Sequence, residues 1–280
     1  MMKKNKSILA YPYIIWSALF IVVPLILVLV FSFTVENGDK LIFSLENYKR
    51  LINPIYLKVF LRSIVLAGSS TIICLLVGYP VAYIISKAHI SKRNTLILLF
   101  ILPMWMNFLL RTYAWVAILG KNGILNSFLG LFGIEPVTLL YTNFAILLGM
   151  VYNFLPFMVL PIYTSLSKMD NDLINAARDL GANSFQVFTK VIFPLSVPGV
   201  ISGITMVFMP AVTTFAISRL LGGGKFMLLG DLIEQQFTVV GDWNFGSAIS
   251  IFMMIVILIS MAVMSRFEDD SDKEGGGLLF

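Results

Sequence analysis

Six apolar stretches, each long enough to cross a bilayer as a helix, constrain this chain more than any other feature of its sequence. A hydrocarbon core of about 30 Å takes roughly 20 apolar residues. The stretches run over about residues 8–33, 59–85, 95–119, 139–163, 191–218 and 245–264. Only 12% of the 280 residues are charged, about half the share of an ordinary soluble domain. The expected fold is therefore an all-α membrane protein of six transmembrane helices. Lys3, Lys4 and Lys6 precede the first stretch as in a secretory signal. Its apolar run is too long for one and no small-residue cleavage site closes it, so it is expected to stay as an anchor.

Six spans put both termini on one side, and charge chooses the side. With the N-terminus inside, the inner segments hold 11 basic residues: Lys3, Lys4, Lys6, Lys87, Lys92, Arg93, Lys168, Arg178, Lys190, Arg266 and Lys273. The outer segments hold 7: Lys40, Lys49, Arg50, Lys58, Lys121, Arg219 and Lys225. The positive-inside rule favours cytoplasmic termini. The basic residues form no dense block, and attraction to anionic headgroups accounts for the net +5 better than nucleic acid does.

The composition also weighs against chemistry in this chain. Cys74 and His89 are each the sole residue of their type, so neither a Cys–His pair nor a dedicated metal site is expected, and no catalytic residue is assigned. No acid, base or metal-ligand cluster of a membrane enzyme is evident near either face. A self-sufficient secondary transporter is expected to show an internal repeat and ionisable groups within its spans; no repeat is evident, and no Asp or Glu lies inside a span.

The informative loop is residues 164–190, between the fourth and fifth spans. Asp170 or Asn171 can cap a helix. Leu173, Ala176, Ala177 and Leu180 follow at helical spacing, and Gly181 is placed to stop the helix. A second short helix can start at Ser184 and run toward Pro194. Such a helix can lie in the headgroup layer. However, Asp170, Asp172 and Asp179 would be repelled by an anionic leaflet, and a small-residue stripe ending at glycine suits a protein groove.

This loop resembles the cytoplasmic signature of ABC-importer permeases: Glu-Ala-Ala, three residues, Gly, nine residues, then Ile-x-Leu-Pro. Ala176, Ala177, Gly181, Val191 and Pro194 fall at those spacings. Phe193 takes the leucine place, and Asn175 stands where the family usually has glutamate. The resemblance runs from the first span through Arg266. Leu76-Val-Gly-Tyr-Pro-Val-Ala-Tyr, Pro103-Met-Trp-Met-Asn, Leu173-Ile-Asn-Ala-Ala-Arg-Asp-Leu-Gly-Ala and Gly241-Asp-Trp-Asn-Phe-Gly-Ser-Ala are similar to the spermidine/putrescine permeases, B type more than C type. It implies the type I ABC importer permease fold over residues 1–267, with a disordered tail at 268–280. Residues 164–190 would hold a coupling helix between helices 4 and 5, with Asn175, Ala176, Ala177, Asp179, Gly181 and Pro194 serving an ATPase.

The implied partners are a cytoplasmic ATPase dimer, a second six-span permease, an extracytoplasmic binding protein and membrane lipid. ATP and Mg would sit on the ATPase, with no cofactor on this chain. No G-x-x-x-x-G-K-[ST] phosphate loop is present; Gly222-Gly-Gly-Lys225 reads as a flexible turn. The expected cargo is a polyamine moved by alternating access. An anion, a metal chelate or an amino-acid-like solute is the alternative within the class.

A polycation needs carboxylates, carbonyl oxygens or aromatic faces in place of water. On a straight third span, Trp105, Phe108, Thr112 and Trp115 fall within about 80° of arc. With Asn107 they make the expected path; Trp115 can equally belong to an interfacial aromatic belt. Arg111 is expected to snorkel outward or pair with Asp231, Glu234 or Asp242. Asp231 and Glu234 either draw cations to the outer mouth or belong to an ordinary solvated loop. Either acid would also be needed to neutralise Arg219. Pro194, Pro198 and Pro210, with Gly199 and Gly203, mark the fifth span as the expected gate or path helix. Pro156 and Pro161 act similarly in the fourth.

Overall fold

Hydrocarbon offers a peptide group no water, so each spanning segment must close its own hydrogen bonds. The computed structural model describes the backbone of residues 11–37 and 40–276, with side chains from 11–36 and 40–266. Five of its helices are long and apolar enough to cross a membrane: α1 (Tyr11–Ser32), α3 (Pro54–Lys87), α7 (Asn143–Lys168), α9 (Ser184–Thr213) and α12, whose apolar part is Trp243–Arg266. Residues 8–10, expected to open the first span, lie outside the described residues. The backbone of α12 continues through Gly276, past the Glu268 boundary expected for a disordered tail. The fifth span ends at Thr213 rather than about residue 218, and a separate α10 (Ala216–Gly222) follows.

The third span departs most from expectation. It is two pieces, α4 (Ile90–Ile101) with a 3-10 turn over Leu102–Trp105, and α5 (Phe108–Leu119). The bend is 91° between Ile90–Trp105 and Phe108–Gly130. Pro103 sits in the 3-10 turn, and Met106 turns extended. A short α6 (Ile124–Gly130) follows α5.

Prolines are absorbed rather than breaking the other spans. Pro156 and Pro161 lie inside α7, and Pro198 and Pro210 inside α9. A π-helical turn over Ala18–Val22 precedes Pro24, and another over Phe188–Ile192 precedes Pro194. Proline has no N–H to give and its ring crowds the preceding turn. A locally widened turn is one way a helix accommodates both.

The described chain falls into two units, Met1–Val59 with Leu232–Val256, and Phe60–Asp231 with Ile257–Phe280. In the first, the end of α1 leads into an antiparallel hairpin, β1 (Thr34–Asn37) and β2 (Lys40–Phe43), with Thr34 opposite Phe43. Two asparagines tie the hairpin down. Asn47 Nδ2, on α2 (Glu46–Leu51), donates to the Thr34 carbonyl at 2.9 Å, and Asn244 Nδ2 donates to the same oxygen at 2.8 Å. Arg50 pairs with Asp242 at 2.9 Å and lies 4.0 Å over the Phe245 ring.

The second unit is centred on α7. Without a hydrophobic drive between helices in lipid, close approach through small residues supplies the contact energy. A Cβ at Gly199 of α9 would come within 2.6 Å of Ser165 Cβ and 2.8 Å of the Pro161 carbonyl. Gly203 meets Met158, Gly78 of α3 meets Met158 and Val159, and Gly149 of α7 receives Leu221 and Ile217 of α10. A hydrogen bond of 2.8 Å joins the Tyr79 and Ser196 hydroxyls between α3 and α9.

This packing makes a paired prediction. Gly199→Ala forces backbone apart and is expected to cost about 1–3 kcal/mol, lowering the thermal midpoint of the solubilised protein. Gly68→Ala, with nothing within 4 Å of the new methyl, should not lower it. Equal midpoints for the two variants would refute the close contact.

Candidate functional site

The loop after α7 builds a rigid knob from local rules. Asp170 Oδ1 accepts from the Asp172 N–H at 2.9 Å and starts α8 (Asn171–Asp179). At its far end the Gly181 N–H reaches the Arg178 carbonyl at 2.8 Å, and the Ala182 N–H reaches Ala177 at 3.1 Å. This double closure is the Schellman stop, and its left-handed residue is Gly181 at φ +84°. Asn183 then begins the next helix through a reciprocal capping box with Gln186, both bonds 2.9 Å. Stop and start are thus two residues apart, the first fixed by a glycine's backbone and the second by the Asn183 and Gln186 side chains.

Burial decides which way the knob faces. Ile174 is the buried residue of α8, and Val187 and Ile192 are buried beside it in the base of α9. The stripe read from the sequence lies elsewhere: Leu173, Ala176 and Leu180 are exposed, and Ala177 is half-buried. Leu180 is 89% exposed and Phe185 75%. Asn175, Asp179 and Gly181 are exposed as well, and Pro194 sits in the first turn after the π segment. The exposed side of α8 and of the turn after it is therefore apolar, with Leu173, Leu180 and Phe185 held outward. The sequence signal that finds Ile174 is its single-residue offset from the Leu173 stripe, which only the fold can choose between.

The expected path residues do not share one helical face. The bend separates Trp105, which is 78% exposed, from Phe108, Thr112 and Trp115. Those three remain one turn apart along α5. Thr112 is fully buried and donates to the Phe108 carbonyl at 3.0 Å. Trp115 packs edge-on against Tyr152 of α7, centroids 5.3 Å apart. Asn107 acts locally, its Oδ1 accepting from the N–H groups of Leu109 and Leu110 at 2.8 and 3.3 Å. It is the cap that lets a helix begin within the third span. Proline followed four residues later by asparagine is the signal that marks this break.

Arg111 neither snorkels nor pairs as expected. It is 8% exposed, and its buried Nε and Nη1 have no hydrogen-bond partner among the described residues. Asp242 is held by Arg50 and by the Phe245 N–H at 3.0 Å. Asp231 accepts from Ser218 Oγ at 2.5 Å and the Leu228 N–H at 2.9 Å, which pins α11 (Leu229–Gln235) to α10. Glu234 lies half-buried further along α11, its backbone carbonyl taken by Thr238 at 2.7 Å. No group of three or more His, Cys, Asp or Glu able to hold a metal occurs among the described residues.

Five to six apolar spans, with a structured loop between α7 and α9, mark a membrane transport component. The chain belongs to the family described as binding-protein-dependent transport system inner membrane component, whose model matches residues 2–270. It is a multi-pass membrane protein of the type I ABC importer permease fold and not an enzyme. A spermidine/putrescine transport system permease protein PotB of Haemophilus influenzae is 43% identical over 256 residues, covering 90% of each chain. The PotB of Escherichia coli K12 is 40% identical over 256 residues, covering 90% of this chain and 93% of the other. A solved bacterial ABC transporter involved in import of the acidic polysaccharide alginate superposes with a TM-score of 0.79 at 16% identity, covering 95% of this chain and 97% of the other.

Asn107→Ala is expected to destabilise the protein by about 0.5–2 kcal/mol, with Asn107→Asp retaining most of the stability. An unchanged thermal midpoint for Asn107→Ala would show that α5 does not depend on this cap.

Proposed function

We propose that this chain is one of two permease subunits of an ATP-driven importer that carries polyamines such as spermidine and putrescine into the cytoplasm. The observation that carries the reading is the outward-facing knob of residues 170–186 joining the two most closely packed spans. The similarity to the PotB permeases supports the cargo. In this reading both termini are cytoplasmic, α8 seats in a cleft of a separate ATPase, and ATP-driven closure of that partner moves α7 and α9 together. A second six-span permease completes the path, and a binding protein delivers the cargo on the other side. ATP and Mg belong to the ATPase, and this chain needs no cofactor. Leu180 and Phe185 are the exposed apolar side chains of the seat, on either side of left-handed Gly181 in the chain, with small Ala176 exposed one turn before Leu180. Asn175 offers an amide in place of a carboxylate at the rim.

Trp105, Phe108, Thr112 and Trp115 remain the aromatic and hydroxyl groups proposed for the path, on both arms of the bent third span. Asn107 acts there through its cap. Asp231 and Glu234 remain the proposed negative groups, with Asp231 also ordering its loop.

Two measurements test this. The purified chain alone should neither hydrolyse ATP nor transport, whereas proteoliposomes holding the chain with a sister permease, an ATPase and a binding protein should take up labelled spermidine with ATP. Uptake of an anionic solute instead would overturn the cargo; uptake by the chain alone would overturn the importer. Gly181→Val should cut uptake about tenfold or more, since a left-handed conformation costs a non-glycine residue roughly 1–2 kcal/mol and a β-branched one is a poorer fit still. Undiminished uptake by that variant would remove the role given to the knob.

A further inference from the structure

The break in the third span leaves a row of backbone acceptors without donors. α4 ends at Ile101 and its 3-10 continuation at Trp105. Met106 is then extended, and no left-handed residue closes the end. The Pro103 carbonyl accepts the Met106 N–H at 3.2 Å. The carbonyl oxygens of Met104, Trp105 and Met106 accept no hydrogen bond among the described residues. The other side of the break differs. Of the four N–H groups that open α5, three are taken: those of Leu109 and Leu110 by Asn107 Oδ1, and that of Arg111 by the Asn107 carbonyl. The donors are capped and the acceptors are not.

Non-helical backbone within a span persists only where protein buries it or water reaches it. This chain does not bury the break, since Met106 is 55% exposed and Trp105 is exposed as well. The C-terminal end of a helix also carries partial negative charge, and unwound carbonyls at such half-helix ends are suited to holding cations. The spans supply no carboxylate for that task, because no Asp or Glu lies in any of the six apolar stretches.

We propose that the free carbonyls of Met104, Trp105 and Met106, with the exposed Trp105 ring, form a subsite for one ammonium group of the cargo. The proposal rests on the polyamine reading and adds the acceptor atoms to it. An ammonium brings donors and no acceptor, which matches a break with its acceptors open and most of its donors closed. An indole face attracts the same charge. Arg111, the nearest cation in sequence, does not fill the site. It is buried on the packed side of α5 and donates to none of these oxygens. Donors of a second permease could cover the same oxygens, and the test separates that case.

The assembled complex in liposomes tests this in two ways. Met106→Cys is treated with a small neutral water-soluble thiol reagent, with and without saturating spermidine. Cys74 is fully buried, and the unsubstituted complex gives its background. Residue 106 is expected to react, and spermidine to slow the reaction several-fold. No reaction would place the break under lipid or the second permease, and a reaction that spermidine does not slow would leave it wet but unused; either overturns the proposal. The second arm weakens one acceptor and alters no side chain. Replacing residue 107 by its α-hydroxy acid turns the Met106 carbonyl into a poorer ester acceptor and removes an N–H that has no backbone partner. The KM for spermidine should rise about threefold or more, part of a hydrogen bond to a charged group, with the maximal rate kept. The same exchange at residue 117, further along α5, should leave KM as it was. An unchanged KM at 107 in a complex that takes up spermidine overturns the subsite and leaves the importer reading intact. Failure of the unsubstituted complex to take up any polyamine overturns both.

Discussion

The close approach of α7 and α9 is the contact on which the rest depends. Gly199 lies against the Pro161 carbonyl and Ser165, and Gly203 lies against Met158. A Cβ at Gly199 or Gly203 would come within 2.6–2.8 Å of its neighbours, so an added atom must displace them. The same two helices are joined by α8. A push on α8 therefore enters both arms of a packed pair rather than one flexible loop. Ile174, Val187 and Ile192 fix the base of the knob, so displacement at its tip is carried into the arms instead of being absorbed.

Much of the architecture is legible in the sequence because hydropathy over about 20 residues reports what lipid selects. All six apolar stretches correspond to helical segments. The bend in the third is invisible to hydropathy, since the sequence stays apolar across Pro103–Met106. Only the proline and the capping asparagine mark it, and a helical-wheel argument carried through the break joins Trp105 to residues on another axis. The π turns are equally silent, though those over Ala18–Val22 and Phe188–Ile192 each precede a proline. In the coupling loop, glycine and the capping residues fix where helices stop and start. Which face is buried could not be read, because Leu173 and Ile174 are neighbours and both apolar. The single-residue choice is made by packing against the base of α9.

Arg111 and Asn107 show how a broken span manages polarity. The asparagine satisfies two of the N–H groups a new helix exposes. Four residues on, the arginine keeps two donors buried and unmatched. An unmatched buried donor on a charged group is expensive, and Arg93 Nε is in the same position near the start of α4.

The wiring of the coupling knob has one more consequence. Its shape-defining hydrogen bonds run between residues no more than five apart, from the Asp170 cap through the Gly181 closure to the Asn183–Gln186 box. None calls on a distant span. Such a segment is a portable cassette. Its outward side chains are free to drift while the helices beneath stay as they were.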